Sequence, residues 1–286
     1  MPRLLTIGHV TRDRRPGGDV LGGSAAYTAL TAHRLGWEVG VLTSAGPDFD
    51  PEQELPDIEV FVHLSSATTR FVNNYDEDGI RHQVVVARAD DIELAPLPDE
   101  WRTPDALLLS PVAGELMGFG SAALEAGAVG AVAQGWLREI GPGGNVSART
   151  WTTAARDLAG VHVVFLSEHD MPEARVGSRQ LLNHVPMIAL TRGVHGLTLM
   201  TQKGEYEVPT LPRTEVDPTG AGDVFAAAFL VRYHEVGDPL DAASFAACAA
   251  SCAVEGVGAA SLGDRDEVFR RVELRDRLLE EGEWDE

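Results

Sequence analysis

The sequence predicts an α/β fold built on one mostly parallel sheet, and three observations carry that expectation. Short strand-like runs alternate with helical patterns up to about residue 200. Those runs are apolar throughout, as strands covered on both faces must be. Beyond residue 220 the chain turns mostly helical, which supplies the covering layers.

The first run, LLTIGHV (4–10), precedes GSAAYTALTAHRLG (23–36), a helix closed by Gly36 at a C-cap position. EVGVLT (38–43) reads as the next strand. Further strands are expected at ALLLS (106–110), AVGAVAQ (128–134), VHVVFL (161–166) and MIALT (187–191), with helices near 115–126, 149–158 and 171–183. MTQKGEY (200–206) reads as a hairpin turn, and the last helices are expected at 222–236, 239–254 and 264–280. Residues 69–88, TRFVNNYDEDGIRHQVVVAR, break the rhythm. They read as two strands joined at Asp78-Gly79, a strong hairpin signal. The whole chain, 1–286, is expected to be one domain, with segments 12–20 and 65–90 forming a small β lid outside the main sheet. Such a hairpin also suits a purely structural role or a homodimer contact.

At 286 residues and 44% apolar content the chain is long and apolar enough for a large core. No run approaches the ~20 apolar residues of a membrane span, and the N-terminal run is too short for a signal peptide. A cytoplasmic protein is expected. Cys248 and Cys252 lie four apart in an Ala-rich stretch. They are either a metal or redox pair or two small core residues, and the core reading is preferred because no histidine cluster adjoins them. The net charge of −21 argues against a nucleic-acid partner, which needs a basic surface, but allows a small anion in a local positive pocket. Lys203 is the only lysine, so no G-x-x-x-x-G-K-[ST] phosphate loop exists. No G-x-G-x-x-G follows the first strand, which disfavours a nicotinamide dehydrogenase. GPGGN (141–145) reads as a loop.

The stretch VDPTGAGDVF (216–225) is the most informative. Gly220, Ala221 and Gly222 precede Asp223 and an apolar run that reads as a helix. A helix N-terminus offers unpaired amides and a partial positive charge, and glycines let a ligand approach the backbone closely. A carboxylate there either caps the helix or takes a proton from a hydroxyl attacking a phosphorus held by those amides.

Four motifs in order resemble the ribokinase-like (PfkB) carbohydrate kinases. They are TIGHVTRD with LGGSAAYTALTAHRLG, LTRGVHG, DPTGAGD, and FAACAASCAVEGVGA, spanning about residues 3–275. The resemblance implies a three-layer α/β sandwich with a small β lid, and an ATP-dependent phosphotransferase acting on an alcohol group. It implies that Asp223 is the catalytic base and that the amides of Gly220, Ala221 and Gly222 form an anion hole. Asp13, Gly22 and Gly23 would contact substrate hydroxyls. Thr191, Gly193, Gly196, Ala247 and Gly258 would contact the nucleotide. Asp217 and Thr219 match positions that hold a monovalent cation such as K⁺ in several members, although Asp217 also suits a turn before Pro218. The family often places N-x-x-E after its middle strands to organise Mg²⁺. Here FLSEHDMPE puts Ser167 and Asp170 at those positions, with Glu168 as the alternative metal residue.

GHVTRD, GGSAAY, AQGWLR and DPTGAGDVF together resemble the short archaeal and bacterial myo-inositol kinases of this family. The carry-over gives Gln134 and Arg138 to the polyol or the transferred phosphate, against a strand-end amide and a surface Arg at a helix start as the plain alternatives. The lid hairpin adds Asn73, Asn74 and Tyr75, which serve either as acceptor contacts or as ordinary hairpin residues. The expected partners are therefore ATP and a small polyol or sugar, most simply myo-inositol. A ribose, fructose or nucleoside acceptor stays open, since Phe71 and Tyr75 could stack on a base. A non-catalytic nucleotide sensor is disfavoured by the retained Asp223.

Overall fold

Residues 1–15, 17–75, 81–119, 124–171 and 174–282 are described by a computed structural model. The strands in chain order are β1 (Arg3–Ile7), β2 (Thr11–Arg15), β3 (Gly18–Gly22), β4 (Glu38–Ala45), β5 (Glu59–Leu64), β6 (Thr69–Tyr75), β7 (Arg81–Ala87) and β8 (Ala106–Leu109). They continue with β9 (Ala128–Val132), β10 (Arg138–Ile140), β11 (Val146–Ala148), β12 (Val163–Ser167), β13 (Met187–Thr191), β14 (Leu197–Thr201) and β15 (Gly204–Val208). The helices are α1 (Ser24–Arg34), α2 (Pro51–Glu54), α3 (Ala154–Asp157), α4 (Ala174–Leu181), α5 (Ala221–Val236), α6 (Pro239–Ala253) and α7 (Arg265–Glu281).

Nine strands form the main sheet in the order β15-β14-β13-β12-β9-β8-β1-β4-β5. The pairs from β13 to β5 are parallel, and β14 and β15 add an antiparallel edge. Alternate residues of the strands feed two cores, because successive side chains leave a strand on opposite faces. Leu4, Leu108, Phe165 and Ala189 enter one core with α1, α5 and α6. Leu5, Leu107, Leu166 and Ile188 enter the other with Trp101, Trp136 and Trp151. The expected three-layer α/β sandwich is therefore present. α5 is buried along Val224–Val231, so its apolar run faces core on all sides. Phe225 and Phe229 meet Phe165 of β12 edge-on, at 6.0 and 5.4 Å. That packing fixes the helix start against the ends of the parallel strands.

β2, β3, β6 and β7 form a separate four-stranded sheet in the order β3-β2-β6-β7. The Asp78-Gly79 turn lies outside the described residues, but its flanking strands pair as expected. Buried His9 pins the places where the chain crosses into this sheet. Ala89 N–H donates to Thr69 Oγ1 at 2.9 Å, and Thr69 Oγ1 lies 2.8 Å from His9 Nδ1. His9 Nε2 lies 2.9 Å from the Asp90 carbonyl. Because that carbonyl only accepts, Nε2 carries a proton. Buried Glu115 accepts from the N–H groups of His9, Val112 and Ala113, joining the loops after β1 and β8.

The expected helix at 115–126 is absent among the described residues. Gly114 and Gly118 sit at φ 75° and 83°, which holds 114–119 in turns. The expected helix at 149–158 shrinks to the single turn α3, and the strand expected through 134 stops at Val132, where a 3₁₀ segment (Ala133–Leu137) begins.

Candidate active site

α5 begins where its sequence demands glycine. Its N-cap, Gly220, has φ 82°, and a Cβ there would lie 2.5 Å from the Tyr27 ring of α1. A side chain at Gly222 would meet no atom within 4 Å, so this position opens onto free space. Ala221 N–H donates to Pro218 O at 3.2 Å, whereas the N–H groups of Gly220 and Gly222 have no backbone acceptor among the described residues. The anion hole expected of three amides thus has two uncommitted donors, with the third shared with a turn. Asp217 Oδ1 accepts Thr219 N–H at 3.0 Å, and Val216 and Asp217 N–H donate to Val254 O. Asp217 therefore closes an Asx turn before the helix, the structural role left open for it.

Asp223 lies one residue further on and is half-buried. Burial pushes its carboxyl up to about 6, Asp170 adds to the rise, and the Ser24 hydroxyl bond and the Arg138 charge pull it back. Burial also raises Asp170, opposed by the Ser167 N–H at 2.7 Å, by the Arg138 charge and by a hydrogen bond from Gln134. Gln134, Arg138, Asp170 and Asp223 thus gather at one place. They come from the segment after β9, the start of β10, the turn after β12 and the start of α5. Open α/β sheets bind ligands at the carboxyl ends of their strands, which is where these residues meet.

Asp13 and the glycine pair complete the wall. Thr11 Oγ1 donates to Asp13 Oδ1 at 3.0 Å. A Cβ at Gly22 would lie 2.6 Å from Asp13 Oδ2, and one at Gly23 (φ 91°) would lie 2.5 Å from His9 O. The pair therefore lets the end of β3 close over Asp13 before α1 begins at Ser24. Ser24, buried at that helix start, is the contact that residue patterns missed. It stands in GGSAAY directly after the glycines, and its hydroxyl reaches the Asp223 carboxylate.

The expected nucleotide residues lie on other segments. Thr191 ends β13 and donates to Leu166 O at 3.1 Å. A Cβ at Gly196 would strike Val208 O, and Thr210 of the following loop donates to Ala247 O at 3.4 Å, so Gly196 and Ala247 flank one loop. Gly193 and Gly258 have positive φ and open space around them. Glu168 lines a cleft of about 350 Å³ with Arg175, Arg192 and Thr198. Among the described residues no group of three or more His, Cys, Asp or Glu side chains could hold a metal ion. The Asn74 side chain lies outside the described residues. Cys248 and Cys252 are buried in α6, their thiols pushed up by burial to about 12 and 11, which fits the core reading. No described helix is long and apolar enough to cross a membrane.

The electrostatics give a test by pH. A base must be deprotonated, so the rate should rise with pH through an acid limb near 6. Removing the negative neighbour with Asp170→Asn should move that limb to lower pH. Removing the positive one with Arg138→Ala should move it higher. The pH profile of kcat/KM for the three proteins decides, and an unchanged limb in both variants would detach it from Asp223.

The fold is shared with solved kinases. A pyrophosphate-dependent kinase of the ribokinase family, complexed with a pyrophosphate analogue and myo-inositol, matches with a TM-score of 0.76 at 22% identity, covering 94% of this chain and 99% of that one. A fructokinase with bound ATP from Xylella fastidiosa matches with a TM-score of 0.76 at 18% identity, covering 96% and 99%. Residues 138–265 match the pfkB family carbohydrate kinase profile. Over that segment the chain resembles the ribokinase-like (PfkB) family. By sequence, the chain is 27% identical over 265 residues to the cytidine kinase of Thermococcus kodakarensis, covering 83% of this chain and 90% of that one. The proteins that it matches are kinases.

Proposed function

We propose that the chain transfers a phosphoryl group from ATP to a hydroxyl of a polyhydroxylated ring, with myo-inositol as the first acceptor. The observation that carries the reading is the raised Asp223 carboxyl, held by Ser24 directly beside the uncommitted Gly220 and Gly222 amides. A carboxylate tuned to about 6 is charged at neutral pH, yet binds a proton far better than an exposed one. It takes the proton of the attacking hydroxyl, while the two amides receive charge on the transferred group. Asp13 and the Gln134–Asp170–Arg138 cluster offer the mixed donors and acceptors that neighbouring ring hydroxyls require. Arg138 presents a planar fork to the phosphoryl oxygens. The β2-β3-β6-β7 sheet, which carries Asp13, acts as the lid over this acceptor.

Exposed Val194 and Val257 stand on the segments assigned to the nucleotide and supply an apolar surface for its base. Mg²⁺ takes one or two protein carboxylates and otherwise water and phosphate. Asp170, whose charge is costly where it sits, fits as that carboxylate and would hold the ion, which when bound would neutralise the donor phosphates.

A nucleoside acceptor is the second reading, favoured by the likeness to a cytidine kinase over most of both chains. Turnover should be measured with myo-inositol, cytidine, ribose and fructose, each with ATP and with pyrophosphate as donor. The highest kcat/KM is expected for myo-inositol with ATP. Preference for cytidine would replace the polyol reading, and no transfer to any acceptor would sink both.

A further inference from the structure

The GPGGN loop forms the tip of a short hairpin that joins the catalytic cluster to the small sheet. β10 and β11 pair Arg138 with Ala148 and Ile140 with Val146. The base of the hairpin is fixed in the core. Arg149 N–H donates to Leu137 O at 2.8 Å, and Trp136 stacks on Trp151 at 5.0 Å with 8° between the rings. Trp151 Nε1 donates to buried Asp157 at 3.0 Å. The two indoles therefore clamp the chain just before and just after the hairpin, and Arg138 is its first residue.

The tip reaches the other way. Asn145 bridges to Val84 of β7 in antiparallel fashion. Gly144 (φ 81°) packs so closely that a Cβ there would lie 2.0 Å from Val85 O. Below the tip, Ile140 and Val146 join Phe71 and Val85 of the small sheet and Val112 and Ala113 after β8 in one apolar cluster. The amides of Val112 and Ala113 are held by Glu115, so this cluster rests on the main sheet as well.

We propose that the β10–β11 hairpin is a strut that sets the height of the small sheet above the acceptor, and that Gly144 is its positioning residue. A rigid base and a docked tip mean that β7 cannot shift toward or away from Arg138 without breaking the Gly144–Val85 contact. The same hairpin that places Arg138 beside Asp170 and Asp223 therefore places the roof over them. For catalysis the inference rests on the kinase reading above; as a statement about the position of β7 it does not.

Two neighbouring glycines provide a matched test. Gly143 (φ 73°) and Gly144 (φ 81°) are both left-handed, so alanine strains the turn about equally at either. Only at Gly144 does the added methyl press on the small sheet, since a Cβ at Gly143 meets nothing nearer than Asn145 Nδ2 at 3.8 Å. Amide hydrogen exchange of residues 83–87 should be faster by about tenfold in Gly144→Ala than in Gly143→Ala, as local opening is eased. Steady-state kinetics should show the acceptor KM of Gly144→Ala raised by about tenfold, the scale of a small misplacement, with kcat changed much less. Donor hydrolysis without acceptor should rise in the same variant, because the roof no longer excludes water. Val85→Ala, which thins the contact from the other side, should reproduce the pattern if Gly144→Ala proves too unstable to purify. Equal exchange in Gly143→Ala and Gly144→Ala, or equal acceptor KM, would overturn the strut. Absence of kinase activity in the unaltered protein would instead overturn the functional reading and leave the exchange comparison standing.

Discussion

Asp223→Asn is expected to fold normally and to lose about 10²–10⁴-fold in kcat, the usual contribution of a general base. The amide keeps the shape of the carboxylate and still meets Ser24, but it cannot accept the proton of the attacking hydroxyl. The same change should stabilise the protein at neutral pH. Burial raises the Asp223 carboxyl from 3.8 to about 6, so between those values the folded state binds more protons than the unfolded one. Stability therefore falls as pH rises through this window, and asparagine removes the cost. Thermal melting at pH 8 should give a higher Tm for Asp223→Asn, with the gap closing toward pH 4. Loss of rate together with gain of stability is what a base held at some expense to the fold must show. A variant that kept near wild-type turnover would return Asp223 to the role of a charge at a helix start.

Gly220→Ala should be strongly damaging. The left-handed backbone costs an alanine ~1–2 kcal/mol, and overpacking a filled space costs ~1–3 kcal/mol more. The methyl would lie 2.5 Å from the ring of Tyr27, which is buried and cannot retreat without moving α1. Displacing the first turn of α5 misaligns the Gly220 and Gly222 donors, and loss of one such donor costs about 10²–10³ in rate. Gly222→Ala is the contrasting variant. It has open space and an ordinary helical backbone, so its Tm should stay near wild type. Any fall in its rate then reports a methyl standing where phosphate must approach. Equal Tm values for the two alanine variants would contradict the packing at Tyr27.

The fold was legible because its signals are local. β13 lies where MIALT predicts it, and α5 begins one residue before the expected start. The antiparallel β14–β15 turn falls at Gln202-Lys203, and strands expected to stand apart, β6 and β7, do stand apart. The failures are equally physical. The stretch near 115–126 has helical residues, but the left-handed backbone of Gly114 and Gly118 overrides them. For the candidate site, Gly220 and the Gly22-Gly23 pair were readable because close approach leaves glycine as the only choice there. Ser24 was not, since its value depends on α1 pointing at α5, a long-range fact. The same holds for Asp170. Its position after β12 was anticipated, but its bonds to Ser167 and Gln134 depend on turns that no spacing encodes.

The antiparallel edge of the sheet has a practical consequence. Because β14 runs back along β13, with Thr201 opposite Met187, the turn bearing Lys203 lies at the end where the parallel strands begin. Lys203 is exposed and is the only lysine in the sequence. Coupling chemistry aimed at lysine side chains would therefore grip every molecule by the same handle, at the pole opposite the strand ends that carry Asp170 and Gln134. Molecules tethered to a solid support in this way would share one orientation, each presenting its reactive mouth to the solution.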